Sequence, residues 1–351
     1  MSISELLQRA VAEQASDIFI LSGAELAFKI GSRGTPVDSR RLIPAETAQL
    51  VQYINHLAGE RAMETLLATG DDDFSFSVAG LGRFRCNAYK QRGSLSAVLR
   101  VVAFGLPDYR QLGIPETVIG LSEKRKGLVL ITGSAGSGKS TTMACIVDRI
   151  NQTRTGHIIT IEDPIEYLHP HRKCLISQRE VDNDTTGYQN ALRAALRQAP
   201  DVILLGEMRD YETISTAMTA AETGQLVLSS LHTVGAANTI DRIVDVFPPG
   251  QQQQIRVQLS MVLEAVVSQQ LLPAVDGSLV PAFEIMLANS AVRNMIREAK
   301  VHQIDNVIYA SASLGMTAMD TDILRLYSKK QITAETALRY AANPDLLGKK
   351  L

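Results

Sequence analysis

Apolar residues recur in two different rhythms along the chain. In the first hundred residues they keep helical spacing or alternate. Leu6, Leu7, Ala10 and Val11 fall on one stripe of an amphipathic helix over 4–15. Runs at 17–21 and 26–30 flank a Ser22-Gly23 turn and read as strands, and 44–57 and 60–67 read as helices. Phe74-Ser75-Phe76-Ser77-Val78 alternates strictly, as a half-buried strand does, and Gly80 and Gly82 turn it into 83–90 and then 94–102. Strands joined by such short turns imply an antiparallel sheet.

From residue 126 the alternation gives way to near-continuous apolar runs at 127–132, 157–161, 202–205 and 226–231. Runs of this kind suit parallel strands buried on both faces, with helices as crossovers. Between the two halves, 105–115 carries two prolines and two glycines, the composition of a linker. Gln251 to Gln254, after Pro248-Pro249-Gly250, is expected to open a long helix, and beyond Asn289 the pattern is helical to the end.

Composition adds bounds. A length of 351 residues fits about two domains at ~150 residues each. With 35 basic against 37 acidic residues, the simplest ground for a nucleic-acid partner is missing, and none is expected. The amino terminus lacks the basic-then-apolar order of a signal peptide, and no stretch offers ~18 uncharged apolar residues. Cys86, Cys145 and Cys174 stand apart with no CxxC pair, which argues against a disulfide framework or a cysteine zinc site. A soluble intracellular protein is expected.

The sharpest chemical signal is Gly133-Ser134-Ala135-Gly136-Ser137-Gly138-Lys139-Ser140, which fits G-x-x-x-x-G-K-[ST] between a strand ending at Thr132 and a helix starting near Thr141. Glycines let backbone amides converge on phosphate oxygens, and a helix N-terminus favours the anion. Lys139 would reach the β- and γ-phosphates, and Ser140 would hold Mg²⁺. No N-K-x-D guanine signature is present, so ATP is the expected nucleotide. In an open α/β sheet ligands bind at the carboxyl ends of strands. Three more apolar runs end there in polar groups: Glu162-Asp163, Gly206-Glu207 and His232-Thr233. Glu162 would position the attacking water and Glu207 would take the magnesium contact of a Walker B acid. Taken alone, His232 reads as a buried, hydrogen-bonded core histidine, and Arg83 and Arg85 as a solvated strand face with Phe84 turned inward.

Together these residues resemble the PilT family of type IV pilus retraction ATPases. The matching stretches are GLVLITGSAGSGKSTT (127–142), TIEDPIEY (160–167), ILLGEMRD (203–210), AAETGQLVLSSLHT (220–233) and TIDRIVDVFP (239–248). Near the carboxyl end, AVRNMIREAK (291–300) resembles the family's retraction motif, and SLGMTAMD (313–320) follows it. The resemblance implies an α/β fold in which a PAS-like α+β domain (1–103) and a linker (104–117) precede a RecA-like P-loop ATPase core (118–290). A helical region carrying the retraction motif (291–351) closes the chain.

It further implies a homo-hexameric ring with nucleotide between the two domains, whose relative rotation drives pilin depolymerisation. Such a motor is cytoplasmic, peripheral at the inner membrane, and docks on a platform protein of the pilus machinery; a paralogous retraction ATPase is a further partner. By the same resemblance Glu162 is the catalytic base, Glu207 the Walker B acid and His232 the second His of the family's His box. Arg83 and Arg85 lie in GRFRCN, and with Arg100 they become charge-stabilising residues. Thr141 joins residues 133–140 in the nucleotide site.

The chain also departs from the family pattern. Gln225 replaces the first His of the His box, Phe19 replaces a His, and Ser134-Ala135 stand where Pro-Thr is common. A Gln cannot carry a proton at neutral pH. This leaves three other readings: an accessory ATPase of the PilU type, another secretion-system ATPase, or a nucleotide-binding structural ring with weak turnover. A RecA-like DNA motor is opposed by the near-neutral charge, and an assembly ATPase by the missing tetracysteine motif.

Overall fold

Ser2 opens the first helix, Ile3–Ala12, through a reciprocal cap: its hydroxyl accepts from the Glu5 amide and the Glu5 carboxylate accepts from the Ser2 amide. The computed structural model describes residues 2–31, 33–102 and 105–351. These form two compact units, Met1–Gly105 with Glu166–Leu168, and Leu106–Ile165 with His169–Leu351.

The first unit is a six-stranded sheet of β1 (Asp17–Ile20), β2 (Glu25–Ile30), β3 (Arg33–Arg41), β4 (Asp71–Val78), β5 (Gly82–Gln91) and β6 (Ser94–Val102). Its order is β3-β2-β1-β6-β5-β4 and every pair is antiparallel, as the short turns imply. Alternation gives it one apolar face. Ile18, Ile20, Phe28, Phe84, Cys86 and Leu99 pack there against Leu6, Leu7, Val51, Ile54 and Leu66 of the helices. β3 escaped the sequence reading because its residues, rich in Arg and carrying Pro36, are nearly all exposed; it is a charged edge strand. The helix expected over 60–67 starts only at Glu64, because Gly59 and Glu60 both take positive φ and Arg61 turns back to grip Asp72 with two 2.9 Å hydrogen bonds.

The second unit holds a seven-stranded sheet of order β13-β12-β7-β11-β10-β8-β9. The apolar runs appear as β7 (Gly127–Thr132), β8 (Gly156–Glu162), β10 (Val202–Leu205) and β11 (Leu226–Leu231). With β9 (Cys174–Glu180) and β12 (Leu263–Pro273) they are all parallel, and β13 (Leu279–Leu287) runs antiparallel to β12. Two cores explain why these runs do not alternate. Leu128 and Leu130 of β7 enter one core, while Val129 and Ile131 enter the other, and β10 and β11 divide in the same way.

The helix expected to be long is cut short. It spans Gln252–Val262, eleven residues, and passes straight into β12. Arg293 fixes this end by donating to the carbonyls of Ser260 and Met261 at 2.8 and 2.9 Å, groups that a helix terminus leaves unpaired. Beyond residue 289 the chain is helical, and Met319–Ser328 packs against β13 through Met319, Ile323 and Leu326. Among the described residues no helix is long and apolar enough to cross a membrane.

Candidate functional site

Because β7, β8, β10 and β11 are parallel neighbours, their carboxyl ends open on one edge of the sheet. Each delivers a different group to it. β7 ends at Thr132 and releases the loop 133–138, after which the helix Lys139–Thr153 begins. Gly133 and Gly138 take φ of 144° and 88°, and both are hemmed in by β12. A Cβ on Gly133 would overlap the Gln269 carbonyl oxygen, and one on Gly138 would meet Gln269 Nε2 at 2.7 Å. At Gly133 both the positive φ and the approach of backbone require glycine, and at Gly138 the positive φ favours it.

Lys139 lies over this loop, buried, with Nζ donating to the carbonyls of Gly133 and Ser134 at 3.0 and 2.8 Å. Its charge is therefore already held where phosphate oxygens would gather. Ser134, Ala135 and Gly136 are exposed at the tip, Ser137 is buried beneath, and Ser140 and Thr141 occupy the first helical turn half-buried.

β8 ends on Glu162, whose Oε1 accepts from Gln178 Nε2 at 3.3 Å. Glu180, paired in register with Glu162, is buried and accepts from the Ile165 amide at 3.0 Å, which fixes the turn that follows the two acids. Neither Gln178 nor Glu180 was singled out by the sequence reading, since both lie in β9, an amphipathic edge strand it did not recognise.

Glu207 follows β10 by two residues. Its Oε2 lies 2.6 Å from Arg209 Nε and 3.2 Å from His232 Nε2. The register of β10 on β11, Leu205 opposite Ser229, brings these ends together. His232 is thus no core histidine. Its side chain is 51% exposed, because the apolar run of β11 stops at Leu231 and leaves it beyond the strand end.

Tyr188, the first residue of the helix Tyr188–Ala195, carries no sequence signal of its own. Its hydroxyl lies 2.7 Å from where a Cβ on Gly206 would stand. Burial raises its pKa, and the nearby carboxylates of Glu207, Asp163 and Glu162 push the same way, so the phenol remains a neutral donor among acids.

Gln225 stands at the other end of β11, just before its first residue. Its Oε1 accepts from Thr223 Oγ1 at 2.8 Å, and its backbone pairs with Gly127 and Ala220. Six residues of extended chain, seven steps or roughly 23 Å, separate it from His232. The substituted position of the His box is therefore remote from the phosphate loop of its own chain.

In the first unit the arginines share one sheet face. Arg85 is registered against Arg100, which is registered against Asp17, which in turn faces Lys29. Arg100 Nε donates to Asp17 Oδ1 at 3.2 Å and Arg83 Nη1 to Ser77 Oγ at 3.2 Å. Phe84 between Arg83 and Arg85 is fully buried on the opposite face, as the alternation requires.

Comparison with known proteins agrees in sequence and in fold. The profile of the family described as Type II/IV secretion system protein matches residues 1–300. The type IV pilus retraction ATPase PilT of Pseudomonas aeruginosa is 43% identical over 98% of this chain and 99% of its own length. A twitching motility protein of Neisseria gonorrhoeae is 48% identical over 78% of this chain and 73% of its own. A crystal structure of the pilus retraction motor PilT with bound ADP superposes with a TM-score of 0.90 at 44% identity, covering 99% of both chains.

Proposed function

The chain belongs to the Type II/IV secretion system family, to its PilT-type ATPases, and from that membership we propose that it is a ring-forming motor whose ATP hydrolysis retracts type IV pili. The observation that carries this reading is the gathering of the Lys139 loop, Glu162 and the Glu207–His232 pair at one sheet edge, in a chain alike to PilT over its whole length.

In this reading residues 133–141 bind the nucleotide, with loop amides and Lys139 on the β- and γ-phosphates. Glu162 receives the proton of the attacking water as the bond from the γ-phosphorus to the bridging oxygen breaks, releasing ADP and phosphate. His232 faces the γ-phosphate side, and donation from its Nε2 to the Glu207 carboxylate holds it there. The Ser140 hydroxyl and the Glu207 carboxylate are the hard oxygen donors that suit magnesium, so the residues present fit that ion. Bound with phosphate, it would neutralise charge on the transferring group.

By the family likeness Arg83, Arg85 and Arg100 are charge-stabilising residues. The ring is a homo-hexamer at the cytoplasmic face of the inner membrane, acting through a platform protein of the pilus machinery, with a paralogous retraction ATPase as a further partner. The competing reading, a structural ring that binds nucleotide without turnover, rests on Gln225, and the distance of Gln225 from the phosphate loop weakens it.

Steady-state phosphate release from ATP by the ring-sized fraction tests the proposal, with Lys139→Ala and Glu162→Ala alongside. Turnover that both substitutions abolish is expected. Tight ATP binding with no release in the wild type would overturn the autonomous motor.

A further inference from the structure

The strand beside the phosphate loop carries two buried polar residues. Ser268 and Gln269 lie in β12 within the run Val266-Val267-Ser268-Gln269-Gln270-Leu271, and both are buried. Buried polar groups need partners, so where these two spend their hydrogen bonds is informative.

β12 pairs with β7 with Ser268 opposite Thr132, the last residue before the loop. The two hydroxyls lie 2.6 Å apart, and Ser268 Oγ also accepts from the Gly235 amide at 3.0 Å. Gly235 is three residues beyond His232 and caps the helix Ala236–Asp245. One hydroxyl therefore ties the start of the phosphate loop to the segment that carries His232. Gln269 holds the loop itself. Its Oε1 accepts from Thr142 Oγ1 at 2.7 Å, which fixes the amide so that Nε2 faces Gly138. Its backbone carbonyl closes on Gly133.

From this juxtaposition we propose that Gln269 is a positioning residue of the phosphate-binding loop and that Ser268 couples that loop to the His232 segment. The physical reason is preorganisation. A loop with glycines at 133, 136 and 138, all at positive φ, has wide conformational freedom. It binds phosphate through amides that must converge at fixed places, and any ordering left until binding weakens affinity. Gln269 restrains both glycines that flank the loop and the first turn of its helix. Ser268 lets a shift of His232 on the γ-phosphate side reach Thr132 through one shared hydroxyl. The inference rests on the nucleotide-site reading and deepens it.

Titration of the full chain with ADP, together with ATP turnover and melting temperature, tests it in the wild type, Gln269→Met, Thr142→Val and Ser268→Ala. Gln269→Met keeps the side-chain volume and removes the hydrogen bond from Thr142. It is expected to weaken ADP about tenfold at a melting temperature close to wild type, and Thr142→Val by several-fold, from the loss of one buried hydrogen bond. Ser268→Ala is expected to hold ADP affinity and KM within about twofold while lowering kcat more, because Gln269 still holds the loop when the tie from Thr132 to the His232 segment is lost.

Wild-type ADP affinity in both Gln269→Met and Thr142→Val overturns the positioning role; unchanged kcat in Ser268→Ala overturns the coupling. If Gln269→Met does not melt cooperatively, Thr142→Val alone decides, and wild-type affinity there counts against the proposal. Failure of the wild type to bind ADP would sink the nucleotide site along with it, which separates that failure from this one.

Discussion

His232 Nε2 stands 3.2 Å from Glu207 Oε2, across the ends of two adjacent parallel strands. A histidine placed to fill a core would be enclosed by apolar side chains; this one is half exposed and meets an acid. His232→Ala is therefore expected to lower kcat about a hundredfold, as the loss of a positioned polar group does. It should change unfolding free energy by less than about 0.5 kcal/mol, the usual range for surface positions. Phosphate release and urea unfolding on the same preparation check both. A variant that loses stability and keeps turnover would return His232 to the core role.

Gln225 and His232 belong to one sequence motif and lie at opposite ends of one strand. Gln225 is engaged with Thr223 and the start of β7, far from Lys139. Gln225→His is expected to leave kcat and KM for ATP within about twofold, since no group of this chain's phosphate site is in reach across ~20 Å. A tenfold rise in turnover would show instead that the position completes a site, and would restore the weak-turnover reading.

Much of the second unit was legible because its chemistry is local. The loop 133–140 announces itself by residue type, and the four inner strands by apolar runs that two separate cores require. β12 was not legible for a reason seen only in the fold. Its middle is Ser268-Gln269-Gln270, which reads as polar, because those side chains turn to the phosphate loop and to other non-local partners. β3 was missed because an edge strand needs no apolar face. Tyr188 and Glu180 carry no motif; only the packing of the helix Tyr188–Ala195 on β8 and the register of β9 place them beside the acids. The position of Gln225, by contrast, could have been read from the sequence, since it precedes the apolar run that His232 follows.

Gly206 leaves room for the Tyr188 hydroxyl, which would lie 2.7 Å from an added Cβ. Gly206→Ala is expected to cost about 1–3 kcal/mol and to lower turnover, as overpacking beside the acids displaces either the ring or the strand end. Tyr188→Phe removes the atom that clashes, so the double variant should recover at least half of that loss. The coupling is read from the four melting curves of the cycle. Additive losses would mean that the two residues do not touch in solution.

Arg293, in the stretch that resembles the retraction motif, works as a clasp. It donates to the carbonyls of Ala288, Ser260 and Met261 and to Glu264, which Lys124 also reaches at 2.8 Å. Arg293→Ala leaves helix-end carbonyls and a half-buried carboxylate short of partners, and is expected to destabilise by about 2–4 kcal/mol. Arg293→Lys should recover less than half, because an ammonium cannot reproduce the planar fork. Unfolding midpoints of the three proteins settle it. Full recovery by lysine would show that charge alone is required there.

His169 gives the stability a pH dependence of known sign. Burial depresses its pKa from 6.5 to about 4, against a smaller opposing effect of Asp148, and its Nδ1 is buried without a hydrogen-bond partner. Between those two pH values the unfolded chain binds a proton there and the folded chain does not. The favourable contribution is thus complete above about pH 6.5 and is lost as pH falls towards 4, by roughly 3 kcal/mol in all. His169→Leu removes the group from both states. The unfolding free energy of the variant relative to wild type should therefore rise by roughly 2 kcal/mol between pH 7 and pH 4.5, as wild type alone loses this part. Urea unfolding of both proteins across that range checks it. Parallel pH profiles would mean that the folded protein protonates His169 as readily as the unfolded chain does.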